Sequence, residues 1–197
     1  MISLGIIAVR GLLRPLALLV ATLVATAGFS HANDSGLPGV FDPYIHRASS
    51  GAAADPINLI FRGASADAVL HSAEQTLGWT PVAGSPMDFL DASHTRASGW
   101  QLGYDLGQGS RYHMRIEAVS TLDGQSYVLA AVHRDDTVAC GHVGRAFDRA
   151  REVVAQAYVA AGYTVSTVWL GNTTPGPQCD GSRTAGDGSA VIINLAH

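Results

Sequence analysis

The chain of 197 residues carries 12 basic and 16 acidic side chains, a formal charge of −4, and every basic one is arginine. That length supports one domain with its own core. An acidic chain without a basic run excludes nucleic acid as the natural partner, because such binding depends on neutralising phosphates.

Residues 1–32 read as an export signal. Arg10 and Arg14 precede an apolar run, LALLVATLVATAGF, and small residues Ser30 and Ala32 place cleavage after Ala32. The run is shorter than the roughly 20 apolar residues a spanning helix needs. A removed signal is therefore preferred to a retained N-terminal membrane anchor, and the mature chain is expected in the periplasm or outside the cell, with no stable membrane span. Losing Arg10 and Arg14 takes the formal charge from −4 to −6. Residues 33–54, rich in Gly, Pro, Ser and Ala, read as a flexible lead-in, and residues 55–197 as the domain.

In chain order, residues 57–62 alternate as a strand. Ser65 is a good N-cap for a helix whose stripe is Ala66, Val69, Leu70, Ala73 and Leu77, with Gly78 as its stop. His71 and Glu74 fall on its outer face. Residues 79–110 have weak periodicity and read as a long glycine-rich loop with a short strand near Trp100. Loops of this length are often functional, though no phosphate-binding glycine pattern fits. RYHMRIEAVS and QSYVLAAVHR then flank LDG, a strong hairpin cue. A two-residue turn pairs Leu122 with Gln125, Met114 with His133 and His113 with Arg134. His113 and His133 then sit on opposite faces. A one-residue bulge would bring both to the same face, because side chains alternate. A helix stripe from Val143 to Ala161 follows, ending at Gly162. Two further strands, YTVSTVWLG and SAVIINLAH, are separated by a Gly/Pro/Thr loop.

The order β-α-β-β-α-β plus one more strand predicts an α+β ferredoxin-like split β-α-β sandwich, with a mostly antiparallel sheet and both helices on one face. The other face would be open, or covered by the lead-in and the long loop.

Residues 131–142, AVHRDDTVACGH, concentrate groups able to bind metal or move protons. A zinc or other divalent-metal site would draw on His133, Asp135, Asp136, Cys140 and His142. The Cys140–His142 spacing is tighter than that of structural zinc ligands, and no second pair lies near. A mononuclear site using His113, His133 and His142 requires the bulge. Cys140 and Cys179 are an even pair in an exported chain and are most simply a disulfide. Closing that loop adds on the order of 4 kcal/mol in the chain-entropy model, and it removes Cys140 from any ligand set. No cofactor motif is present, and none is expected. The HRD triplet lacks the rest of a kinase catalytic loop, and there is no serine nucleophile elbow.

Arg111, His113 and Arg115 form one stripe, with Arg134 directly across the hairpin. These groups either form internal salt bridges or make a patch for a carboxylate or phosphate, to which arginine geometry is suited.

Taken together, DPINLIFRG, Gly78-Trp79, RYHMRI, AAVHRDD and FDRAREVVAQAYVAAGY resemble the LssY C-terminal-like domain family over about residues 55–163. The resemblance groups His113, Arg115, His133, Asp135, His142, Asp148 and Arg151 as recurring polar positions. The chain departs from the pattern at Glu117, where a tryptophan-like position is expected, and in a shortened segment around Cys140. The resemblance implies no particular reaction. The leading expectation is an exported cell-envelope accessory domain that binds a small anionic or envelope ligand. The alternative is a periplasmic hydrolase, metal-dependent or not, using His113, His133, Asp135 and His142.

Overall fold

The structure is a computed structural model that describes residues 30–31, 37–82, 87–90, 96–122, 124–173, 176–184 and 186–196. The apolar run of the expected export signal (residues 16–29), the cleavage residue Ala32 and the turn residue Asp123 lie outside the described residues.

The elements run as strands Ser30–His31 (β1), Tyr44–Arg47 (β2), Ala53–Pro56 (β3) and Leu59–Arg62 (β4), helix Ala66–Leu77 (α1), then strands Thr80–Pro81 (β5), Met87–Leu90 (β6), Arg96–Ser98 (β7), Trp100–Gly107 (β8), Ser110–Leu122 (β9), Gln125–Val138 (β10) and Gly141–Arg145 (β11). Helix Phe147–Ala160 (α2) and strands Thr164–Trp169 (β12), Gly176–Pro177 (β13), Arg183–Thr184 (β14) and Ser189–Asn194 (β15) complete the chain. The main sheet has the order β1-β12-β15-β4-β10-β9-β8-β5, with β11 pairing to β10 off that path. A second sheet, β3-β2-β6-β7, is built from the lead-in and the long loop.

The ferredoxin-like split sandwich is therefore incorrect. The last strand is inserted between β12 and β4, parallel to β4 and antiparallel to β12, and β8, β5 and β1 extend the sheet beyond the split motif. The physical reason lies in SAVIIN. Ala190, Val191, Ile192 and Ile193 are all buried, so both faces of β15 are apolar. A strand buried on both faces belongs in the interior of a sheet rather than at its edge.

Two cores sandwich this sheet. On one side Leu59, Phe61, Met114, Ile116, Val128, Ala130 and Val132 pack under both helices, against Val69, Ala73, Val154 and Tyr158. On the other side Ile60, Leu129, Ala131 and Ile192 pack against Leu37, Phe41, Ile45 and Phe89 from the lead-in and second sheet. Ser65 caps α1 by accepting from the Ala68 N–H, and Gly78 closes the helix in the left-handed region at φ 67°. Asn58, next to β4, fastens the layers. Its amide donates to the Val132 and Phe147 carbonyls at 2.8 and 3.3 Å, and its Oδ1 accepts from Val132 N–H at 2.9 Å.

The β9–β10 hairpin starts in the expected register, Gln125 opposite Leu122. It then slips: Tyr127 faces Ser120 and Val128 faces Ala118, leaving Val119 as the extra residue of a β-bulge. Beyond the bulge His113 faces His133, not Arg134, and Met114 faces Val132, not His133. Both histidines thus point to the side of the second sheet. The second hairpin strand also runs past its expected end at Arg134: residues 135–138 continue β10, and β11 folds back on it with Arg145 opposite Arg134. Val143 is accordingly a strand residue, and α2 begins at Phe147.

Candidate functional site

A polar cavity of about 430 Å³ opens between the main sheet and the second sheet. Alternate residues of one strand face share a side. That rule brings Arg111, His113 and Arg115 from β9 together with His133 and Asp135 from β10. Gln101 arrives from β8, opposite Arg115 in register. Asp55, Arg47 and Met87 descend from the second sheet, and His142, Gly144 and Gln178 form the remaining wall.

The floor is a hydrogen-bonded row. His113, His133 and Asp135 are each 4 % exposed or less. Asp135 Oδ1 lies 2.8 Å from His133 Nε2. Its Oδ2 accepts from Arg111 Nε at 3.2 Å and lies 3.2 Å from His113 Nδ1, outside hydrogen-bond geometry. His113 Nε2 lies 2.5 Å from Gln101 Oε1. Across the gap, Arg115 Nη1 donates to Asp55 Oδ2 at 2.5 Å, and the same oxygen lies 3.5 Å from His133 Nδ1. The two imidazoles meet edge to face with centroids 5.4 Å apart.

Electrostatics divide this row into unlike partners. Burial dominates at His113 and, with Arg115 and His133 nearby, pulls its pKa down to about 4 against the pull of Asp135. The ring is neutral at physiological pH. Burial alone would raise the Asp135 carboxyl. Close contact with the His113 and His133 imidazoles outweighs it and holds Asp135 ionised, below the ordinary carboxylate range.

One wall is held by covalent and steric means. Cys140 and Cys179 form a disulfide with Cα atoms 6.0 Å apart. Next to it, the Gln178 amide accepts from Gly144 N–H at 3.2 Å and donates to Gly144 C=O at 2.8 Å. Space at residue 144 is tight: a Cβ there would sit 3.0 Å from the Phe147 ring and 3.2 Å from the His133 ring, so the rings would have to give by a few tenths of an ångström.

Of the residues singled out from sequence, His113, His133 and Asp135 converge, with Arg111 and Arg115 beside them. His142 sits exposed on the rim, 3.4 Å from Thr137 Oγ1. Arg134 does not line the cavity. The bulge leaves it on the sheet face opposite to His113, where it forms a fork to Asp136 at 3.0 and 2.9 Å. Asp136 also accepts from Ser110 and is no part of the cluster. Cys140, being in the disulfide, is no metal ligand. Asp148 and Arg151 lie elsewhere, in an ion-pair group with Asp187. Sequence reasoning missed Asp55, Gln101, Gly144, Gln178 and Arg47. Asp55 opens the DPINL stretch but carries no motif, and the two glutamines have no local signal at all.

No family model, curated protein or solved structure matches the chain.

Proposed function

We propose that the cleft between the two sheets binds a small carboxylate- or phosphate-bearing anion, in an accessory domain of the cell envelope. The carrying observation is the arginine set on one cavity. Arg47, Arg111 and Arg115 outnumber the two aspartates lining it. Arg111 donates to Asp135 through Nε alone, so its two Nη groups have no partner among the described residues. Arg115 Nε is buried and likewise without a hydrogen-bond partner. Donors left over on guanidinium groups suit planar or tetrahedral anions. The disulfide fits an oxidising compartment and so suits an exported domain, and among the described residues no helix is long and apolar enough to cross a membrane.

Calorimetric titration of the full chain with inorganic phosphate and with malonate, in chelator, tests the proposal. One anion per chain is expected, with binding that weakens as salt rises. Arg111→Met should weaken it about tenfold or more, the worth of one charge-assisted hydrogen bond. Binding of neither anion at millimolar concentration refutes the reading.

A hydrolase is the second reading, favoured by the convergence of His113, His133 and Asp135 beside a cleft. There His133, oriented by Asp135, would take a proton from water. Chromogenic carboxylic and phosphoric esters test it, and turnover unaffected by His133→Gln would sink it.

A further inference from the structure

We propose that His113, His133 and Asp135 form a binding site for one divalent transition-metal ion, zinc in the first instance, on the floor of the cleft. This is independent of whether an anion binds above it. One donor atom from each residue can be chosen so that all three lie within 4.8 Å of one another, and all three residues are buried. Two imidazoles and one carboxylate are a donor set suited to zinc or iron, and three protein ligands leave coordination positions open.

The second observation is the placement of bare ring nitrogens. Each imidazole has one nitrogen in a hydrogen bond and one buried nitrogen without a partner, Nδ1 in both cases. With Gln101 Oε1 as the acceptor at 2.5 Å, His113 Nε2 carries the proton. In the neutral ring that leaves the Nδ1 lone pair facing Asp135 Oδ2 at 3.2 Å. His133 repeats the pattern. Its Nε2 donates to Asp135 Oδ1 at 2.8 Å, and its Nδ1 faces Asp55 Oδ2 at 3.5 Å. Two acceptors turned toward each other in a buried place are costly. A cation seated between His113 Nδ1 and Asp135 Oδ2 would turn that contact into ligation, with a His133 ring nitrogen as the third donor. Gln101 then takes the role of the outer group that fixes a ligating ring through its far nitrogen.

The site opens toward the cleft. Arg111 lies beside it, and its hydrogen bond keeps Asp135 turned to the floor. Cys140 cannot compete for the ion, because it is in the disulfide. Exposed His142 stays outside the group.

The test uses the full chain, stripped with chelator and titrated with zinc chloride by calorimetry. One zinc per chain is expected. Gln101→Ala should weaken binding about tenfold to a hundredfold, as loss of an outer-shell partner does. His113→Gln and His133→Gln should weaken it further, and His142→Ala should leave it unchanged. Binding that survives both ligand substitutions, or is lost in His142→Ala, overturns the proposal. Since a buried histidine variant can lose its fold, a second readout needs no variant. In nitrogen-15 spectra of the wild-type imidazoles, zinc should move ring nitrogens of His113 and His133 and leave His46 and His71 in place. Zinc shifts confined to other histidines, or none, overturn it. A flipped Gln101 amide that donates to a bare His113 Nε2 would register as an Nδ1-protonated ring indifferent to zinc, which also refutes the site.

Discussion

Replacing Arg115 by methionine tests how the cleft is held together. The residue belongs to β9 of the main sheet, and its partner Asp55 to β3 of the second. The pair spans the gap at 2.5 Å, with side chains 12 % and 10 % exposed. Two charges so little hydrated are poorly screened, so removing one leaves the other buried and uncompensated, a loss of about 3–5 kcal/mol. Arg115→Met strands Asp55, and Asp55→Leu strands Arg115, whose Nε already lacks a partner. Each single variant should therefore melt roughly 10 °C lower, taking about 2–4 °C per kcal/mol for a domain of this size. The double variant Arg115→Met/Asp55→Leu removes both charges and should recover most of the loss, since apolar replacement of a buried pair is often neutral. Urea unfolding of the four proteins gives the coupling directly. Two single losses below about 1 kcal/mol that simply add would show a solvent-screened pair, and the account of the two sheets clamped by charge would be wrong.

Gly144→Ala should cost about 1–3 kcal/mol by overpacking and displace the His133 ring, read as a weakened zinc or anion titration. An alanine variant with unchanged stability and binding would show that the wall yields freely. Cys140→Ser/Cys179→Ser should lose about 4 kcal/mol in denaturant unfolding, for a crosslink closing a separation of 39 residues; a loss under 1 kcal/mol counts against that figure. At high pH, Tyr158 gives a signed effect. Burial pushes its phenol up to about 12, against the hydrogen bond from Ser72 and with Tyr163 adding to the rise. Between about pH 10 and 12 the unfolded chain sheds a proton that the folded one keeps, so stability falls with rising pH, by about 2–3 kcal/mol in all. Tyr158→Phe should show a flatter alkaline limb, and identical limbs in the two proteins would contradict the assignment.

Local elements were readable because their signals are local. Ser65 and Gly78 bound α1 through capping chemistry, and the two cysteines pair with each other as an even count suggests. Strand order was not readable. The doubly apolar SAVIIN run marks an interior strand, but nothing in it says which two strands it separates. Val143 fits the stripe of α2 but lies in β11, because a buried valine serves a strand as well as a helix. Within the site, His113, His133 and Asp135 were visible as residue types, whereas their meeting depended on a bulge at Val119. The stretch around it, EAVSTL, has no glycine or proline to announce an irregularity. Asp55, Gln101 and Gln178 come from distant elements and meet the histidines only through tertiary structure.

The bulge makes the cleft a matter of parity. Every side chain of β9 between Val119 and Ser110 owes its direction to one unpaired residue. Deleting Val119 would remove only the extra residue and leave the pairs beyond it in place, Ala118 opposite Val128 and His113 opposite His133. Closing the bulge without a deletion, with Val119 opposite Val128, would instead rotate that whole stretch by half a turn, carrying Met114 and Ile116 out of the helix-side core and His113 and Arg115 into it. A slip of one residue, about ten ångströms or more along the strand from the nearest polar group of the cleft at ~3.3 Å per residue, would thus erase the site and much of one core together.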